Sequence, residues 1–225
     1  MPVITMCSTK GGVGKSTIAL ILAQSYSAAG SNVTLIDADP NQPLATWAKR
    51  FAQSVPSNLT VIGDVNEQNI IDVIDTAALK DPFVIVDLEG SANMTASYSI
   101  SRADLVLIPL RGKQLDADQA SRVIGLVDRE SKAYRKEIPY AVVFSLVSAL
   151  KSREYAHIRK TFESKNIPIL SVDVTERAAY SAMFQLGGSL FDLTEEDVSQ
   201  PKIAVGQAVE LSKAVLAMLP KKEAA

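Results

Sequence analysis

The chain of 225 residues holds one cysteine, Cys7, and one histidine, His157. No disulfide framework can form within it, and one chain cannot build a Cys₄ metal or cluster site. With no second His or Cys to accompany it, His157 reads as a helix-surface residue, and Cys7 as a small buried thiol. Neither sign of charge dominates: the net charge is −2 and the pI is near 5.5. The surface as a whole is therefore no attractor of nucleic acid, although local basic patches remain open. No apolar run reaches the roughly 18 residues that a bilayer span requires. The sequence enters an apolar strand without a charged leader and cleavage site, so a cytoplasmic protein is expected. Aromatic residues make up only 6%. Trp47, Phe51 and Tyr180 read as packing or dimer contacts before base-stacking platforms.

What is present is a regular alternation. Short apolar runs predict strands at Val3–Cys7, Asn32–Ile36, Leu59–Ile62, Phe83–Val86, Leu105–Pro109, Tyr140–Phe144 and Ile167–Val172. Several are continuous and β-branched, such as Val84-Ile85-Val86, as strands covered on both faces are. Helices are predicted between them at Lys15–Ala29, Pro43–Gln53, Gln68–Leu79, Met94–Ser101, Ala117–Tyr134, Arg153–Ser164, Glu176–Leu186 and Lys202–Leu219. Gly30 is placed to close the first helix. This order implies right-handed crossovers and an α/β fold of three layers, a doubly wound, mostly parallel sheet with helices on both faces. With 47% hydrophobic residues, one domain spanning 1–225 is the simplest organisation. Gly187-Gly188 and Thr194–Pro201 look like a flexible connection before the last helix.

The strongest motif follows the first strand. Residues 10–17 read Lys-Gly-Gly-Val-Gly-Lys-Ser-Thr. Glycines let successive N–H groups turn toward one anion, and the next helix opens with its positive dipole end. Lys15 supplies a full charge for β- and γ-phosphates, and the Ser16 hydroxyl can ligate Mg²⁺. Thr9 stands where the usual pattern has its first glycine, and a second lysine, Lys10, opens the loop. The motif calls for a nucleoside triphosphate with Mg²⁺.

In such sheets ligands sit at the carboxyl ends of the strands. Asp37 and Asp39 follow the second strand. Asp87 and Glu89 follow Phe83–Val86. Mg²⁺ takes oxygen ligands and retains waters, so these aspartates can hold it through water, and one can orient an attacking water. Capping of helices or turns is the alternative use for each.

Four segments, Lys10–Thr17, Leu35–Gln42, Val84–Gly90 and Ala103–Pro109, resemble the ParA/MinD family of deviant Walker A P-loop ATPases. Within it the chain resembles the small ParA-type partition proteins, and Pro43–Arg50 with Trp47 resembles the accessory ATPases of DNA-transfer systems. The resemblance implies roles. Gly11, Gly12, Val13, Gly14 and Lys15 would form the phosphate cradle, and Thr17 would contact the α-phosphate. Ser16, Asp37 and Asp87 would serve Mg²⁺, the aspartates through water. Asp39 would orient the attacking water. Lys10 would reach across a homodimer to the partner's phosphates. A lysine early in the loop has no free phosphate in its own site once Lys15 is in place, which supports action across an interface. A solvated loop lysine is the plain alternative. Adenine contacts would come from Phe144–Val147 and Val172–Arg177. The family pattern departs at Asp87-Leu88-Glu89-Gly90, where prolines are common. It departs again at Leu110-Arg111-Gly112-Lys113, where a proline-rich stretch is often found.

The function expected is an ATP-dependent dimerisation switch with weak, partner-stimulated hydrolysis. It would serve plasmid or chromosome partition or DNA transfer, with a ParB-like or transfer protein as partner. The alternatives are a MinD-like regulator at the membrane and a metabolic P-loop enzyme. An iron–sulfur role would need more cysteine than Cys7. Non-specific DNA binding, and with it nucleoid association, would fall to Lys151, Arg153, Arg159, Lys160 and Lys165, if these are not simply a solvated face. Lys202–Leu219 with the tail Lys221-Lys222 is expected to pack on the core, without a membrane contact.

Overall fold

The computed structural model describes residues 1–220; the Lys221-Lys222 tail lies outside them. The elements run β1 (Val3–Met6), α1 (Lys15–Ala28), β2 (Val33–Ala38), α2 (Pro43–Arg50), β3 (Leu59–Ile62), α3 (Ile70–Lys80), β4 (Phe83–Leu88) and α4 (Met94–Arg102). They continue with β5 (Leu105–Leu110), α5 (Gln114–Tyr134), β6 (Tyr140–Phe144), α6 (Arg153–Ser164), α7 (Ala178–Leu186) and α8 (Pro201–Met218). The strands form one sheet in the order β3-β2-β4-β1-β5-β6, every pair parallel. Parallel neighbours need crossovers, which the helices supply.

Both faces are apolar because the strands alternate between two buried layers. Val84, Val86, Val106, Ile108 and Val142 pack with α3, α4, α5 and α6 through Ile74, Ile100, Val123 and Ile158. Ile4, Met6, Ile85, Leu107 and Val143 face α1, α2, α7 and α8 through Ile18, Trp47, Tyr180 and Leu211. Helix α1 is buried on nearly all sides from Ile18 to Ser27. It lies between the sheet and α8, so a one-sided apolar stripe would not serve it. Trp47 donates its indole N–H to the Met183 carbonyl at 2.9 Å, which fixes it as a packing residue. Gly30 follows the α1 cap with φ +87 and donates to the Ser27 carbonyl.

Strand β1 sits at the centre, and β2 and β4 lie on one side of it, β5 and β6 on the other. The crossovers thus diverge at the carboxyl end of β1, and a crevice opens there. The register places Asp87 beside Met6 on β1 and beside Asp37 on β2. The chemistry-bearing residues of three strands therefore meet at one edge.

Three expectations change. The strand predicted at Ile167–Val172 does not form. Only isolated bridges occur, Val142 with Ile169 and Val147 with Thr175. Pro168 has no N–H to give the ladder, and the chain bends at Ser171 before it returns to β6. Helix α5 begins at Gln114, earlier than Ala117, because the Gln114 N–H is accepted by the Glu154 carboxylate at 2.9 Å. Gly187-Gly188 is no loose connection. A Cβ on Gly187 would stand 2.2 Å from Phe51 Cγ, and the Gly188 carbonyl accepts from Gln24 at 2.8 Å.

Candidate nucleotide site

The loop after β1 wraps an open cavity of about 500 Å³. Gly11, Gly12, Gly14, Lys15, Ser16 and Thr17 line it from the loop, Asp39 and Asn41 from the β2–α2 connection, Glu89 and Gly90 from the β4–α4 connection, with Arg111 and Leu146 beyond. Gly12 and Gly14 have φ +72 and +91, which side-chain-bearing residues rarely adopt. Gly14 is the N-cap of α1, with no side-chain cap and no acidic residue in the first turn. The first N–H groups of α1 thus remain available to an anion in the cavity. Val13 points the other way, into the protein, and its carbonyl accepts the Ser145 hydroxyl. The Ser145 N–H also donates to the Leu110 carbonyl at 2.8 Å. The phosphate loop is thereby pinned to the ends of β5 and β6.

The two lysines have different surroundings. Lys15 is buried, and its ammonium donates to the Lys10 carbonyl at 3.3 Å, which closes the loop on itself. Lys10 is half-exposed and is not among the residues that line the cavity. Its ammonium pairs with the buried Asp116 carboxylate on the first turn of α5. The other Asp116 oxygen accepts the Arg111 N–H at 3.2 Å.

The three aspartates divide their work. Asp37 is committed to α2: one oxygen accepts the Leu44 and Ala45 N–H groups at 2.7 and 2.8 Å, and the other accepts Asp39 N–H at 3.3 Å. Burial pushes its pKa up, and those backbone donors oppose the shift. It acts as a cap of α2. Asp39 is half-buried, lines the cavity and holds Asn41 through backbone and side chain. Asp87 is fully buried, and both carboxylate oxygens lack a hydrogen-bond partner among the described residues. Burial raises its pKa to about 7; the Ser16 hydroxyl, near it but outside hydrogen-bond geometry, and the Lys15 charge pull it down, and Asp37 and Asp39 push it further up. A buried carboxylate left so is costly unless a cation arrives.

No three His, Cys, Asp or Glu side chains among the described residues converge on one metal position. The two unpartnered Asp87 oxygens and the Ser16 hydroxyl are hard oxygen donors of the kind that Mg²⁺ takes beside phosphate oxygens and water. Glu89, just after β4, is tied within its own loop. Its Oε2 accepts Ser91 and Asn93 at 2.8 and 3.0 Å, and Asn93 caps α4. Gly90 lies close against the phosphate loop: a Cβ here would stand 3.0 Å from the Gly11 nitrogen.

The expected basic patch is partly neutralised. Lys151 and Arg159 both bind the Asp173 carboxylate, at 2.7 and 3.1 Å, and Tyr155 donates to it as well. Arg153, Lys160 and Lys165 are exposed. His157 is exposed on α6, outside any cluster of titratable groups among the described residues. Cys7 is buried, with its thiol pushed up to about 12 by desolvation. Helix α8 packs Ala204, Ala208, Leu211 and Val215 into the core. No helix among the described residues is long and apolar enough to cross a membrane.

Sequence reasoning missed Asp116 and Ser145. An acidic residue in the first turn of a helix that follows a strand was the available signal for Asp116.

A glycine-rich loop with two lysines, set on the central strand of a parallel sheet and facing a buried aspartate, defines a P-loop protein of the ParA/MinD class. The chain belongs to the VirC1 protein family, whose model matches residues 1–215. It is 43% identical over 194 residues to the protein ParA of Rhizobium radiobacter, covering 86% of each chain. It is 28% identical to the protein VirC1 of the same organism, covering 83% of this chain and 82% of that one. The septum site-determining protein MinD of Pyrococcus horikoshii, solved with Mg-ADP, superposes with a TM-score of 0.72 at 16% identity, covering 96% and 97%.

Proposed function

We propose that this chain binds ATP with Mg²⁺ as one P-loop unit, dimerises in response, and hydrolyses ATP slowly to undo the dimer, in the partition or transfer of DNA. One observation carries the reading: Lys15 lines the phosphate cavity while Lys10, on the same loop, does not line it and is paired with Asp116. A single site has no phosphate left for Lys10. A second copy bearing a triphosphate does. The switch would then depend on the γ-phosphate, as order–disorder devices on nucleotide loops do. Support for partition comes from the relative named ParA, and for transfer from the relatives named VirC1.

In the proposed mechanism Gly11–Gly14 and the α1 N-terminus bind the phosphates, and Lys15 neutralises the β/γ oxygens. Thr17 takes the α-phosphate end. Ser16 and Asp87 would hold Mg²⁺, which supplies charge neutralisation when bound. Asp39, on the cavity wall, orients a water. Partner stimulation by a ParB-like or DNA-transfer protein, and non-specific DNA contact by Arg153, Lys160 and Lys165, belong to the same proposal.

Size-exclusion chromatography with ATP, ADP or no nucleotide tests it. Wild type should shift to a dimer with ATP alone. Lys10→Ala should bind ATP and remain a monomer. A wild-type monomer under saturating ATP would overturn the reading.

A further inference from the structure

We infer that Arg111 is a second phosphate-binding cation of this site, contacting the nucleotide bound in its own chain. The inference rests on the nucleotide reading above. Its basis is an accounting of the cations around the cavity. Lys10 is held by Asp116. Lys113 is paired with Glu154 at 3.3 Å and Lys151 with Asp173 at 2.7 Å. Lys15 is bonded to a backbone carbonyl and keeps its charge for the ligand. The Arg111 guanidinium has no hydrogen bond, ion pair or ring contact among the described residues, yet it lines the same cavity as Gly12, Lys15 and Thr17.

The position of Arg111 is built, not incidental. Its N–H is accepted by Asp116 at 3.2 Å. The next residue, Gly112, has φ +72, and a Cβ there would stand 2.9 Å from the Tyr155 ring. The turn is thus held on both sides, and it delivers the arginine to the wall between the phosphate cavity and a smaller one beside Lys113 and Val147.

Charge explains the need. Asp39 and Glu89 line the cavity and Asp37 and Asp87 are buried near them, and with a triphosphate their charge outweighs Lys15 and one Mg²⁺. With Lys10 withdrawn, the free chain has one other mobile cation to offer. A guanidinium presents paired donors to phosphate oxygens, which an ammonium does not.

The experiment measures ATP and ADP binding with Mg²⁺ by calorimetry, in a Lys10→Ala background where a second copy's phosphates are out of reach. Arg111→Ala should weaken binding about tenfold, as expected for one partly exposed charge-assisted contact. Arg111→Lys should recover part of the loss, and the loss should shrink at high salt. A loss confined to ATP, or one shared with ADP, both support the inference and say which phosphate is touched. Unchanged affinity for both nucleotides would overturn it. So would an equal, salt-independent loss in Arg111→Ala and Arg111→Lys, which marks loop packing. Normal binding in that background, with dimerisation lost in Arg111→Ala that retains Lys10, would place the contact across an interface and also overturn it. If the parent chain binds no nucleotide while folded, the site reading itself falls, and that result is distinct from the others.

Discussion

The Lys10 ammonium and the Asp116 carboxylate are paired within one chain, although Lys10 opens the loop after β1 and Asp116 lies on α5, after β5. The carboxylate is buried and the ammonium is half-exposed. The pair therefore competes with any phosphate that Lys10 would otherwise meet. Its contribution is modest because of that exposure, about 1 kcal/mol. Asp116→Asn should release Lys10 and lower the ATP concentration at half-dimerisation by roughly 3- to 10-fold. Light scattering against ATP concentration measures it. An unchanged midpoint would show that the pair does not restrain Lys10.

Asp39 holds no ligand of the fold beyond Asn41, so its loss should leave the cavity intact. Asp39→Ala is expected to bind ATP within about threefold of wild type and to turn it over at least roughly 100-fold more slowly. A persistent ATP-bound dimer should result. Phosphate release and gel filtration on one sample decide this, and normal turnover would remove Asp39 from the chemistry.

Asp87 ties stability to pH. Its pKa is about 7 in the folded chain and about 3.9 when unfolded. Between those values the folded state keeps a proton that the unfolded state has lost, so stability falls as pH rises through the window. Asp87→Asn removes this dependence. The difference in unfolding free energy, variant minus wild type, should grow by roughly 2–4 kcal/mol from pH 4 to pH 8, at about 1.4 kcal/mol per pH unit. Urea titrations without Mg²⁺ or nucleotide give the curve. A flat difference would mean that the buried carboxylate finds another partner.

Gly187 tests the packing between the ends of α7 and α2. It has φ +79 and lies against Phe51. Gly187→Ala should cost roughly 2–4 kcal/mol through strain and overlap. Phe51→Ala in the same chain should relieve the overlap and leave the strain. Such a double-mutant cycle gives a favourable coupling; strict additivity would contradict the contact.

The sequence made local features readable. Gly11 to Thr17 lie in unbroken succession, and Asp37 and Asp87 end apolar strands, so neighbouring residues alone reveal them. Strand assignment failed at Ile167–Val172 because an apolar run does not disclose that Pro168 interrupts a ladder. Asp116 and Ser145 were invisible for another reason. Their partners, Lys10 and Val13, are 106 and 132 residues away. Only the sheet order brings β5 and β6 beside the loop. The division of labour between Asp37 and Asp87 was equally hidden, since both read as acids after strands until one is seen capping α2.

The Ser145 hydroxyl on the Val13 carbonyl has a consequence for genetics. A residue that touches no phosphate anchors the strand exit that does. Mutational screens for failed DNA inheritance would recover Ser145→Ala beside lesions in Gly14 and Lys15, and a map drawn on sequence alone would misfile it as a second locus.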